Sequence, residues 1–136
     1  MLTDFEQNVL QLAARGYSVP ETATELAVRR YPVFAARIAL RRKFNARNIT
    51  HVIALAVAMG LVAVPVGDID PTRLDATDSA ILRELARGGR YCDVARAAFV
   101  ALDTVGYRLR AHIRPALHAR NMRHAVAVAV QAGLIE

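Results

Sequence analysis

Two phrases of this chain are nearly the same: ARNITHVIALAVAMGLV at residues 46–62 and ARNMRHAVAVAVQAGLI at residues 119–135. They align without a gap at an offset of 73, pairing Ala46, Arg47, Asn48 and His51 with Ala119, Arg120, Asn121 and His124. Ala54, Ala56, Val57, Gly60 and Leu61 pair in the same way with Ala127, Ala129, Val130, Gly133 and Leu134. The flanks repeat too: residues 2–16 match residues 74–88 at an offset of 72, each stretch opening on Leu and closing on Ala-Arg-Gly. One inserted residue in the second copy reconciles the offsets. A stacked solenoid needs about three repeats of a shorter period, so the pattern implies a tandem duplication of one small domain, residues 1–62 and 74–136, joined by a linker at 63–73.

Units of this size bury a marginal core when alone, so the copies are expected to lean on each other. The linker AVPVGDIDPTR agrees, because its first half is apolar where a flexible tether would be rich in Gly and Ser. The longest uncharged apolar run, 52–66, contains Gly60 and Pro65 and falls short of the roughly 20 residues of a membrane span. Asp4 and Glu6 stand where a signal peptide would be basic. Cys92 is the single cysteine, which excludes an internal disulfide and a cysteine-based metal cluster and fits a reducing, cytoplasmic setting.

The distribution of charge says more than its total of +6. No Asp or Glu lies between Glu25 and Asp68, a gap that holds Arg29, Arg30, Arg37, Arg41, Arg42, Lys43 and Arg47. The second copy repeats this between Asp103 and Glu136, with Arg108, Arg110, Arg114, Arg120 and Arg123. Acids confined to the first half of each copy leave one positive face per copy, the electrostatic footprint of a nucleic-acid binder.

Local signals give four helices per copy and no run with a period of two, so the fold class is all-α. Thr3 with Glu6 and Ser18 with Glu21 have the form of capping boxes and should open the first two helices. Gly16 should stop the first. Pro32, tolerated in a first turn, places the third helix at about 32–44, and Asn48 caps a fourth that ends at Gly60. The matching helices of the second copy should start near Thr77, Tyr91, Thr104 and Asn121. The fourth helices, VIALAVAM and AVAVAV, are apolar around much of their circumference. They could pack copy against copy, together with the linker, or join two chains as a homodimer.

In order and without gaps, the first copy carries Leu2-Thr3, Glu6, Val9-Leu10, Leu12-Ala13, Gly16, Ser18, Glu21, Ala23, Leu26, Val28, Val33, Leu40, Lys43-Phe44, Arg47-Asn48, Thr50, Ala54, Ala56 and Gly60-Leu61. This set resembles the LuxR/FixJ-type helix-turn-helix domain of bacterial transcription regulators. The second copy resembles a more diverged relative, keeping Leu74, Ile81-Leu82, Leu85-Ala86, Gly88, Asp93-Val94-Ala95, Val100, Thr104-Val105 and the closing phrase. The resemblance implies a four-helix unit whose third helix enters the major groove of double-stranded DNA and whose fourth helix often serves for pairing. Phe34 stands where the family usually has Lys, and Ala36 where it often has His.

With Val33 inward, helical spacing puts Leu40 and Phe44 beside it and turns Phe34, Ala35, Ile38, Arg41 and Arg42 outward. From Val105, the inward set is Leu109, His112, Ile113 and Ala116, and the outward set is Tyr107, Arg110 and Arg114, with Arg108 at the flank. Pro115 removes a helical hydrogen bond and clashes with the preceding turn, so the helix should kink or stop there, near the inserted residue. The expected DNA-contacting set is Arg29, Arg30, Tyr31, Phe34, Arg37, Arg41, Arg42 and Arg47 in the first copy. In the second it is Thr104, Tyr107, Arg108, Arg110, Arg114 and Arg120.

Other chemistry finds little purchase. His51 and His124 lie three residues past their Asn caps, where they should meet the helix start rather than a metal. His112, His118 and Cys92 are too few and too irregular for zinc. No nucleophile has an ordered base and acid, and no glycine-rich phosphate loop exists, so neither an enzyme nor a bound cofactor is expected. The expected function is a sequence-specific DNA-binding transcription regulator. The alternative is a degenerate helix-turn-helix adaptor that binds RNA polymerase or another regulator through Tyr31, Phe34 and Ile38.

Overall fold

Most of the longer helices of the chain begin where a side chain takes up a free backbone amide of the first turn. In the computed structural model, which describes residues 1–136, Thr3 caps α1 (Asp4–Ala14) and Ser18 caps α2 (Val19–Leu26). In both, the hydroxyl accepts from the N3 amide while the N3 Glu accepts from the cap amide. Then follow α3 (Arg30–Lys43) and α4 (Ile49–Ala58), the latter capped by Asn48. A 3-10 turn at Pro71–Arg73 leads to α5 (Ala76–Ala86), capped by Asp75 with Asp78, and α6 (Tyr91–Ala98). Next, α7 (Leu102–Arg108), a π-helical stretch (Leu109–Ile113) and α8 (Arg114–Leu117) form one continuous run, and α9 (Met122–Gln131), capped by Asn121, closes the chain. The fold is all-helical.

The left-handed backbone positions repeat like the sequence. The eight residues with positive φ form four pairs: Gly16 with Gly88 and Ala27 with Phe99 at an offset of 72, Asn45 with His118 and Gly60 with Gly133 at 73. The extra residue of the second half therefore lies between Phe99 and His118, and the π-helical turn sits there. A π turn closes i→i+5 and so holds one residue more than an α turn. In an ideal α-helix the Pro115 ring would meet the carbonyl of Ala111; widening the turn around that carbonyl lets the chain continue through the proline instead of stopping. Two boundaries differ from expectation: α3 starts at Arg30 rather than Pro32, and α7 at Leu102 rather than Thr104. Their cap residues, Arg29 and Ala101, make no side-chain capping bond, so no local signal marks them.

One continuous core runs through both halves, from Val9 and Leu10 through Ile53 to Ile81, Leu117 and Val126. The fourth helices supply its middle. α4 packs on α9, while α9 also packs on α1 and α4 on α5. Most of their apolar surface is thus consumed within the chain: Val52, Ile53, Ala56, Val126, Ala127 and Ala129 are sealed from solvent, while Leu55 is partly covered and Met59 exposed at the end of α4. The linker docks as its apolar character requires: Val64 is buried, as is Val62 just before it, the Gln7 and Gln11 amides donate to Leu61 O (2.8 Å) and Ala63 O (2.7 Å), and Val64 N donates to Gln131 Oε1 (3.3 Å).

The duplicated ARN phrase is a clasp between the halves. Asn48 Oδ1 caps its own helix by accepting from His51 N (3.0 Å), and Asn48 Nδ2 donates to Gly88 O across the interface (2.9 Å). Asn121 returns both bonds, accepting from His124 N (3.1 Å) and donating to Gly16 O (2.7 Å). Arg47 Nη2 lies 4.0 Å from the Asp93 carboxylate, and its counterpart Arg120 pairs with Glu21 at 2.9 Å while lying 4.7 Å over the Tyr17 ring.

Each histidine completes the clasp as an acceptor: Nδ1 of His51 takes the amide of Arg47 (3.1 Å) and Nδ1 of His124 that of Arg120 (3.0 Å). Both rings must then be neutral, with the proton on Nε2. Burial, and then the neighbouring Arg47 or Arg120, hold both pKa values below the ordinary histidine range. A base whose folded pKa is depressed favours folding most fully above its unfolded pKa, about 6.5, and loses that stability as pH falls toward the folded value. Urea midpoints are therefore expected to decline between pH 7.5 and 5. Glu6, lowered by the Lys43 hydrogen bond and the Thr3 amide, and Asp75, lowered to about 2 by Arg108 and the Asp78 amide, lose their stabilising contributions only in a separate, more acidic window. Replacing both histidines by Gln should flatten the first decline and leave the second; an unaltered first decline would place its origin elsewhere.

Candidate functional site

Helix α3 is held to the core along one side only. Val33 and Leu40 are fully buried, Ala36 nearly so, and Phe44 is half-buried against the core. The opposite side presents Arg30, Tyr31, Phe34, Ala35, Ile38, Arg41 and Arg42 to solvent, with Arg29 exposed at the N-cap. Tyr31 is 79% exposed and Phe34 53%, so the first is largely clear of intramolecular packing and the second is covered on one side only. Arg29, Arg30, Arg41 and Arg42 take part in none of the ion pairs of the chain. The helix joins α2 through Ala27, Val28 and Arg29, with Ala27 in the left-handed region.

Arg37 is not part of this exposed face. Its guanidinium is half-buried beneath α3, donating Nη2 to Tyr17 O at 2.9 Å, and its Nε has no partner. Arg123, absent from the expected contact set, is drawn to the same place and donates Nη2 to Gly16 O at 3.5 Å, again with an unpartnered Nε. Desolvation, and then the charge of Arg123, push the Arg37 pKa down to about 10; desolvation lowers that of Arg123 as well. Arg47 and Arg120, also expected at DNA, belong to the clasp described above.

The second half divides its cations differently. Arg108 turns inward, donating Nη1 to Asp75 (2.6 Å) and to the fully buried Asp78 (3.2 Å), with His112 Nδ1 lying 3.7 Å from Asp78. The place of Arg108 is thus structural, matching the Glu6–Lys43 pair (2.6 Å) of the first half. Tyr107 and Arg110 are exposed, Thr104 and Arg114 half-exposed. Arg110 and Arg114 border a shallow cleft with His118 just beyond the π turn. Leu109, Ile113 and Ala116 are buried as spacing requires, whereas His112 is only partly covered.

Phe99 is the most exposed aromatic, at 94%, and stands with φ +58 at the turn between α6 and α7. A side chain in this region strains the backbone by about 1–2 kcal/mol. Phe99→Gly should relieve that strain, less about 0.5–1 kcal/mol for the freer unfolded chain, and so stabilise by about 0.5–1 kcal/mol. A rise of a few degrees in the melting midpoint would register it; a fall would mean that the ring makes stabilising contacts.

No group of His, Cys, Asp and Glu side chains is arranged to hold a metal ion. No helix is long and apolar enough to cross a membrane, and Cys92 is a free, exposed thiol. The largest concavity, lined by Met1, Leu2, Gln7, Lys43, Phe44, Leu55, Met59 and Leu61, is open and mostly apolar, and it holds none of the expected contact residues. No protein-family model matches the chain, and neither a curated protein nor a solved structure is significantly similar to it.

Proposed function

We propose that the chain is a sequence-specific double-stranded DNA-binding transcription regulator built of two helix-turn-helix units, residues 1–62 and 74–136, with α3 as its principal recognition helix. The observation that carries this reading is the exposed face of α3. Arg29, Arg30, Arg41 and Arg42 stand there without carboxylate partners, in a stretch of sequence free of acids. Unpaired guanidiniums are poised to replace the counterions of a phosphate backbone, while Tyr31, Phe34 and Ile38 between them can meet base edges and thymine methyl groups. The three-residue turn from α2 into α3 is the length that helix-turn-helix units use.

Fluorescence anisotropy tests the reading: the purified chain against a fragment of its own upstream region and a scrambled duplex, at low and near-physiological salt. Retention of the first and loss of the second as salt rises is the expected result. Each phosphate contact contributes about 0.9 log units of affinity per log unit of salt. Arg41→Ala with Arg42→Ala should therefore weaken binding about 60-fold at 0.1 M salt, whatever the sequence, and reduce the salt slope by about 1.8. An unchanged slope would remove α3 from the interface.

A second reading is an adaptor that docks on RNA polymerase or another regulator, favoured by the exposure of Tyr31, Phe34 and Ile38 on the same face. Apolar anchoring of that kind would bind a protein with little dependence on salt and would distinguish no DNA sequence.

A further inference from the structure

The central contacts between the two halves are returned by equivalent residues. Asn48 reaches Gly88 as Asn121 reaches Gly16, and Arg47 faces Asp93 as Arg120 faces Glu21. α9 lies on α1 as α4 lies on α5. The glycines agree: a Cβ at Gly88 would meet Arg47 and His51, and one at Gly16 would meet Asn121 and His124. Returned contacts are the mark of a two-fold axis, because in a head-to-tail array the surface that one unit offers is not the surface its neighbour offers back. Here the axis passes between α4 and α9, inside a single chain.

We propose that one molecule, without a second copy, spans two half-sites of opposite orientation on the same duplex, α3 reading one and the helical run 102–117 the other. This rests on the DNA-binding reading above and adds to it the number of chains, the direction of the half-sites and their inequality. The halves do not present the same side chains to the bases: Arg30 corresponds with Leu102, Tyr31 with Asp103, Phe34 with Gly106, Ala35 with Tyr107 and Ile38 with Arg110, and of the exposed arginines only Arg41 has an arginine, Arg114, as its counterpart. The operator is then an inverted arrangement that does not look like a palindrome.

Making the two readers alike exposes the geometry. One variant carries Leu102→Arg, Asp103→Tyr, Gly106→Phe, Tyr107→Ala and Arg110→Ile; its converse carries Arg30→Leu, Tyr31→Asp, Phe34→Gly, Ala35→Tyr and Ile38→Arg. The altered side chains are exposed, apart from half-buried Gly106, whose nearest neighbour is the mobile end of Arg110, and either variant alone suffices if the other folds poorly. Each, together with the unaltered chain, selects duplexes from a randomised pool, and sedimentation counts chains on the selected duplex.

The expected result is an inverted repeat from the variants, one chain per duplex, and binding at least about tenfold weaker when one half-site is turned round, since only one half can then engage. A direct repeat, a single half-site or two chains per duplex would overturn this inference and leave DNA binding standing. If the unaltered chain enriches no sequence at all, the DNA-binding reading fails and this inference fails with it.

Discussion

Gly88→Ala is expected to destabilise the chain by about 3 kcal/mol. Two costs combine. The residue has φ +85, where an L side chain is strained by about 1–2 kcal/mol. The new methyl would also lie 2.8 Å from the Arg47 Cβ and 3.2 Å from that of His51. Those atoms sit next to the backbone of the opposite half and cannot swing aside, so overpacking adds about 1–3 kcal/mol. Gly60→Ala separates the terms, because Gly60 has a similar φ of +76 but nothing within 4 Å of its missing Cβ. It should cost only about 1 kcal/mol. Urea denaturation of both variants decides the matter: equal losses would mean that the two halves give way freely and are not tightly fitted.

Asp78→Ala should cost a similar amount, about 3 kcal/mol, for a different reason. The carboxylate is sealed from solvent and has three tasks: Oδ2 accepts from Asp75 N (3.2 Å), Oδ1 accepts from Arg108 Nη1 (3.2 Å), and His112 stands 3.7 Å away. Breaking a buried pair by deleting one partner costs about 3–5 kcal/mol. Arg108 keeps Asp75 and some access to water, which puts the expectation at the lower end. Asp78→Asn retains an acceptor for the cap and should lose less. If the two substitutions prove equal, the ion pair rather than the cap is what Asp78 supplies.

The sequence was most legible where a single local interaction decides the outcome. Thr3 and Ser18 announce their helices because their hydroxyls cap them, Asn48 and Asn121 do so through their amide oxygens, and the linker docks because Val64 is apolar. The starts of α3 and α7 were hidden because Arg29 and Ala101 cap with backbone alone. The site was harder to read, since counting arginines does not tell a free guanidinium from an occupied one. Arg29, Arg30, Arg41 and Arg42 are free of ion pairs, whereas Arg37, Arg108 and Arg120 hold parts of the fold together and Arg47 lies 4.0 Å from Asp93. One signal could have separated them. The phrases most alike in the two halves, Ala-Arg-Gly and Ala-Arg-Asn-x-x-His, are the ones that touch across the interface, while most exposed third-helix positions have diverged. Likeness between the halves thus marks packing, and difference marks the outward face.

The burial of α4 against α9 within one chain sets the terms on which the two faces can change. In a symmetric homodimer every substitution appears twice, so neither face alters without its twin, and pairing weakens on dilution. Here a change at Arg30 leaves Leu102 as it was, and the halves, joined in one chain, do not part on dilution. Each exposed face is free to change by itself while Asn48, Asn121, Gly16 and Gly88 stay fixed between the halves.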